Sequence, residues 1–193
     1  KSYEVGDRVV TPLKTKDFGR IAAHGHADAL SVQLMVDGMS VLADPGTYIY
    51  HCDLGMRNVF RKTINHNTLC LLNRAGKTID QSQMLGPFLW GKRAQCMLEV
   101  CESDRWHDKI VASHNGYHPI VHRRTVELKG KNSSSPWLQI EDELDKDGKW
   151  VVTWLLGKQC KASGMENGYR ISCGQSEVIM TIGTSVEKIC LEE

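Results

Sequence analysis

Four side chains between His24 and His66 have the types and spacing to hold a metal ion or move a proton: His24, His26, Asp44 and His66. His24 and His26 stand two apart, which puts both imidazoles on one face if the backbone there is extended. Asp44 follows His26 by 18 residues and His66 follows Asp44 by 22. Gaps of that size fit three separate strands or strand ends, and the helical zinc motif with turn-spaced histidines is absent. Two imidazoles and a carboxylate suit Zn²⁺ with water in a fourth position. A non-haem iron site uses the same ligand types, so the donor set alone leaves iron open.

The elements around these residues read as short strands. Leu30, Val32, Leu34 and Val36 alternate with Ala29, Ser31, Gln33 and Met35, and Asp37-Gly38 reads as a tight hairpin turn into Val41-Leu42. Pro45-Gly46 ends that strand and leaves Asp44 at its mouth. A long loop is expected from Thr47 to Thr63, with no amphipathic helix anywhere in the chain. Further strands are expected at Thr68–Leu72, from Ala94 to Val100, and at Lys109–Ser113, Val121–Leu128 and Trp137–Leu144. Asp147-Gly148 reads as a second hairpin, into Trp150–Leu156, and the tail gives Tyr169–Ser172, Glu177–Ile182 and Val186–Leu191. Short strands at regular spacing predict an all-β fold, an antiparallel β-sandwich of about a dozen strands. No composition break divides the chain, so residues 1–193 read as one domain. Trp137, Trp150 and Trp154 read as core or sheet-face packing.

Composition sets the limits. The apolar share is 41%, the charged share 24% and the formal net charge +1, so nothing marks the whole chain as a nucleic-acid or anionic-membrane binder. Attraction to a polyanion must then be local, with Arg57, Arg61 and the run His122-Arg123-Arg124 as candidates and Arg74 as a solvated loop charge. No apolar run approaches the ~20 residues of a membrane helix, and no signal segment or initiating Met opens the chain. The seven cysteines are odd in number and lack a Cys-x-x-Cys pair, which argues against a cysteine metal site. Buried thiols are the default reading, with Cys70, Cys96 and Cys160 in apolar runs. Thiols of that kind suit a reducing compartment.

His-Gly-His-Ala-Asp-Ala-Leu from His24, Asp-Pro-Gly-Thr-Tyr from Asp44, Arg-Asn-Val-Phe-Arg from Arg57 and His-Asn-Thr from His66 resemble, in that order, the heparinase II/III family of polysaccharide lyases. The similar region is the β-sandwich that follows a helical toroid. Asp80-Gln81-Ser82, Phe88-Leu89-Trp90, Gly116-Tyr117 and His122-Arg123-Arg124 extend the resemblance over most of the chain. It implies that His26, Asp44 and His66 bind zinc and that His24 faces the substrate cleft. It further implies β-elimination on a uronic-acid-containing anionic polysaccharide, with Tyr48, Arg57 and Arg61 near substrate. The zinc is then structural, and Asn67 supports His66 from behind without touching the metal. Asp28 is expected to orient a neighbouring imidazole or cap a strand, Tyr50 to reach the cleft or pack, and His107, His114 and His118 to lie in loops. The resemblance also implies a parent protein with a toroid domain that supplies further catalytic groups, periplasmic or secreted, although the cysteines leave a cytoplasmic location open. One wall of a cleft should turn over little substrate alone. The competing reading is a non-catalytic sandwich that binds polysaccharide or supports a neighbouring domain.

Overall fold

The computed structural model describes residues 9–10, 13–15 and 22–183. The expected strand at Val186–Leu191, and Cys190 with it, lies outside the described residues. Among the described residues all strand pairings are antiparallel. One sheet joins β1 (Val9–Val10), β2 (Leu34–Val36) and β3 (Met39–Leu42). A second joins β4 (Leu69–Leu72) and β5 (Thr78–Ile79) to β12 (Lys149–Val152). β6 (Met84–Gly86) and β7 (Leu89–Trp90) pair as a small ribbon. The largest sheet has the order β11 (Trp137–Leu144), β10 (His122–Lys129), β9 (His107–His114), β8 (Cys96–Ser103). The last holds β13 (Cys160–Met165), β14 (Gly168–Cys173) and β15 (Ser176–Thr181).

Strict alternation in β10 shows how the layers form. His122, Arg124, Val126 and Leu128 are buried, while Arg123, Thr125, Glu127 and Lys129 are only half-buried. On the inward face, Ile110, Ala112 and Val126 pack with Leu13, Leu30 and Val32. Beside them Leu128 meets Leu34, Val41, Leu42 and Ile171, so three sheets share one apolar interior. Each fully buried Leu or Ile contributes roughly 1.5–3 kcal/mol to that interior.

Several expectations need correction. Asp37 and Gly38 both take positive φ (49° and 76°) and close the β2–β3 hairpin as expected. Asp147-Gly148 does not close a hairpin: β11 pairs with β10, and β12 crosses to β4. Trp150 there packs with Leu69, Leu71 and Tyr117, and that burial outweighs the local turn signal. The strand expected from Leu30 shrinks to Leu34–Val36, with only an isolated bridge at Val32. Leu30 itself has φ 58°, so regular pairing cannot pass through it.

The loop expected from Thr47 to Thr63 contains a helix, α1 (Leu54–Phe60), capped by Asp53, whose Oδ1 accepts from the Met56 N–H at 2.8 Å. Its polarity is inverted: Arg57 is buried while Leu54, Met56 and Val59 are exposed. A two-turn helix with charge on its inner face leaves no apolar period to detect. Cys160 and Cys173, opposite each other in β13 and β14, form a disulfide rather than thiols. Cys52 and Cys101 are exposed, Cys96 half-buried, and Cys70 buried as expected. Trp150 and Trp154 pack against the core, whereas Trp137 lies on the outer sheet face with Lys129 over its ring.

His107 and His114 bound β9 instead of lying in loops, and only His118 sits in a turn. His114 is buried and heads a chain of hydrogen bonds. The Gly116 N–H donates to His114 Nδ1 (3.1 Å), which places the His114 proton on Nε2, facing His122 Nδ1 (3.0 Å). His122 Nε2 then donates to Asp142 Oδ1 (2.6 Å), and the Arg124 guanidinium grips both Asp142 oxygens. His122 and Arg124 are therefore not polyanion contacts: both are fully buried, and only Arg123 of that run reaches solvent, paired with Glu99 and Glu143.

Burial holds the His114 imidazole well below its ordinary 6.5, and the neighbouring His122 adds to the effect. Burial also lowers His122, with Asp142 partly offsetting it. Burial alone would raise the Asp142 carboxyl, but the Arg124 charge and the bonds from His122 and Arg124 outweigh it and keep it ionised far into acid. Below pH 6.5 the unfolded chain therefore takes up protons at these two histidines that the folded chain refuses, and stability falls as pH drops. Urea unfolding at pH 7 and pH 5 should show a lower midpoint at pH 5, with a shallower change in His114→Gln. A midpoint that does not move between the two pH values would contradict the buried neutral pair.

Candidate metal centre

His26, Asp44 and His66 converge, each offering a ligand atom within 4.8 Å of the other two. Asp44 sits just past the end of β3, as the sequence predicts. Its Oδ1 accepts from the Gly46 N–H at 2.8 Å, and Gly46 supplies the positive φ (64°) that turns the chain there. His66 follows a 3-10 turn at Thr63–Asn65 and precedes β4. His26 lies in an irregular turn, not a strand, so His24 and His26 do not share an extended face. His26 is buried while His24 is exposed, edge-on to Tyr50 at 5.4 Å.

The electrostatics suit a cation. Burial, with His66 and Lys14 nearby, holds His26 down to about 4, so its ring is neutral at pH 7 with a lone pair to offer. Burial opposes ionisation of Asp44, but the His66 hydrogen bond and charge and the Gly46 N–H prevail and hold it at about 2. His66 Nδ1 lies 3.1 Å from Asp44 Oδ2. Its Nε2 is buried and has no hydrogen-bond partner. An orphaned buried nitrogen beside a neutral imidazole and an ionised carboxylate is the donor set that a divalent zinc ion satisfies.

Matching the sequence to family models assigns residues 9–190 to the C-terminal domain described as heparinase II/III-like. The chain belongs to the heparinase II/III-like family. No curated protein matches its sequence. Among solved structures it is similar to the heparan sulfate lyase HepC from Pedobacter heparinus, with a TM-score of 0.61 at 20% identity over 84% of this chain and 23% of that one. It is also similar to a heparinase III, with a TM-score of 0.60 at 21% identity over 86% of this chain and 24% of that one. At such identities the likeness shows a shared fold. The heparinase-like chain spans about a quarter of the length of these proteins.

The other site expectations fare unevenly in this heparinase-like domain. Tyr48 is exposed, in a left-handed conformation (φ 60°), and stacks on Phe60 at 4.9 Å. Asn67 does not bond His66. Its amide donates to the carbonyls of Val32 (2.9 Å) and Ala43 (2.8 Å), and its oxygen accepts from the Leu155 N–H (2.6 Å). It thus fixes the strand that leads into Asp44. Asp28 is buried and paired with Lys14, and burial raises its carboxyl. Among the described residues no helix is long and apolar enough to cross a membrane.

Arg57 and Arg61 occupy places unlike those expected of substrate contacts: both are fully buried. Arg57 donates to the carbonyls of Pro87 (2.9 Å) and Ala23 (2.8 Å) beneath the rings of Phe88 and Tyr50. Arg61 donates to Gly25 (3.2 Å), to Gly86 (3.1 Å) and to Pro87, with Trp90 against its other side. Burial and the Arg57 charge lower Arg61 to about 10, so it remains a cation at neutral pH. The two arginines, four apart, are where α1 grips the backbone that carries His24 and His26. Sequence alone could not separate this role from anion binding, because both use the same guanidinium; the four-residue spacing was the available signal. Arg61→Met should strand several buried carbonyls and cost roughly 3 kcal/mol in urea unfolding, against about 0.5 kcal/mol or less for Arg74→Ala in an exposed turn. Equal midpoints for the two variants would return Arg61 to the surface.

Proposed function

We propose that the chain forms the β-sandwich wall of a polysaccharide lyase that cleaves a uronic-acid-containing anionic polysaccharide by β-elimination. His26, Asp44 and His66 would hold a structural zinc, and His24 would face the cleft. The observation that carries this reading is the convergence of the three ligands, one of which, His26, stands two residues from the exposed His24. Zinc supplies a cross-link between three chain segments that no regular pairing joins, of the kind that couples metal binding to folding.

β-Elimination requires the uronate carboxylate to be neutralised, the proton at C5 to be removed and the leaving glycosidic oxygen to be protonated. His24, alone of the four groups, is exposed enough to meet a sugar, and it would donate to the carboxylate or take part in the proton transfer. Tyr50, exposed against His24, and Tyr48, exposed on Phe60, would border the substrate. The remaining catalytic groups would come from a helical toroid in the parent protein, so this domain alone should turn over little substrate.

Elemental analysis tests the metal assignment. The purified chain should carry about one zinc per molecule, and His26→Ala and His66→Ala should carry none; equal zinc in all three rules the centre out. In the full-length parent, His24→Ala should retain zinc yet lose ~10²-fold or more of the rate at which unsaturated uronate appears. An unchanged rate with weaker polysaccharide binding would favour the non-catalytic binding module.

A further inference from the structure

Arg124 is fully buried in β10, and every nitrogen of its guanidinium is engaged. Nε and Nη2 grip Asp142 Oδ1 and Oδ2 at 2.7 and 2.8 Å. Nη1 donates to two backbone carbonyls distant in sequence, Leu30 at 2.8 Å and Asn67 at 2.7 Å. Leu30 lies four residues after His26, and Asn67 directly follows His66. The Asn67 side chain then holds the carbonyl of Ala43, the residue before Asp44. One guanidinium and one amide therefore reach all three ligand segments.

We propose that Arg124 is the positioning residue of the His26–Asp44–His66 centre, setting the distance between the His26 and His66 segments from the inward face of β10. The inference rests on the reading of that centre as a metal site.

The physical need is specific. Leu30 is fully buried in a left-handed conformation (φ 58°) that is strained for a non-glycine residue. Such a residue persists only where its surroundings hold it, and its N–H (to Lys14 O, 2.9 Å) and its carbonyl (from Arg124) are both fixed. Two buried carbonyls directed at one point repel each other, and the Val32 N–H donates to just one of them, that of Asn67 at 3.2 Å. A cationic N–H between them reverses that repulsion and defines their separation. Lysine cannot copy this arrangement, because a single ammonium lacks the planar fork that grips a carboxylate while a third nitrogen serves two carbonyls. Behind Arg124, the His114–His122 chain fixes the plane of the Asp142 carboxylate, which in turn fixes the plane of the guanidinium. Outer partners of this kind set metal affinity without touching the metal.

The test uses the whole chain and two readouts. Zinc affinity is measured by competition with a chelating dye. In metal-free protein, each histidine is acylated with diethyl pyrocarbonate and its rate read by mass spectrometry. Arg124→Lys should bind zinc roughly 10- to 100-fold more weakly, and buried His66 should be modified several-fold faster while exposed His24 keeps its rate. Leu128→Ala, a core variant in the same strand that touches neither Leu30 nor Asn67, should lose stability yet keep both readouts at wild-type values. Should Arg124→Lys fail to fold, Asp142→Glu keeps the charge, displaces the guanidinium, and should shift both readouts the same way by less. If Arg124→Lys leaves both unchanged, or if Leu128→Ala moves them equally, the positioning role is wrong. A wild-type chain that binds no zinc, but whose His66 is opened by Arg124→Lys, would remove the metal reading and leave the positioning intact.

Discussion

The structure depends on buried guanidinium groups bonded to backbone carbonyls. The segments that carry His24, His26 and His66 are turns and strand ends, so their carbonyls are not paired in a ladder, yet many of them are buried. A buried carbonyl without a donor costs about as much as a lost hydrogen bond. Arg57, Arg61 and Arg124, all fully buried, satisfy seven different carbonyls between them: Ala23, Gly25, Leu30, Ile49, Asn67, Gly86 and Pro87. Only Arg124 has a carboxylate among its bonded partners; Arg57 and Arg61 balance their charge with carbonyl dipoles and the faces of Phe88, Tyr50 and Trp90. Burying a cation in this way is expensive and makes sense only where geometry is the gain.

That geometry separates two jobs within one motif. Because the chain turns at residues 23–25 instead of running straight, His26 goes inward to meet Asp44 and His66, while His24 stays at the surface against Tyr50. The inner imidazole is neutral and enclosed, which suits a ligand. The outer one is accessible, which suits contact with a saccharide. A scaffold that locks the first also fixes where the second stands, so the two imidazoles share the same arginine supports at the carbonyls of Ala23 and Gly25.

Much of this was legible in the sequence. Period-two alternation reported the strands of the large sheet, and Asp37-Gly38 reported a true hairpin. Asp44, placed before Pro45-Gly46, was correctly set at the mouth of β3. The ordered motifs singled out the three residues that converge. What stayed hidden was tertiary in origin. The α1 helix buries arginine in place of leucine, so its period is invisible. Asp147-Gly148 has turn chemistry, but the packing of Trp150 on Tyr117 and Leu71 sends β12 to another sheet. His114 looks like a loop histidine, and His122 like part of a basic run, until β9 and β10 pair and bring their rings together. The Cys160–Cys173 bond likewise needs the β13–β14 register to be known.

The most direct measurement of the central claim is anomalous diffraction at the zinc absorption edge from crystals of the metal-loaded chain. The account predicts one strong peak bounded by His26, Asp44 and His66, with Arg124 still bonded to the carbonyls of Leu30 and Asn67. Zinc located elsewhere, or none between these three side chains in crystals that contain it, would contradict the account.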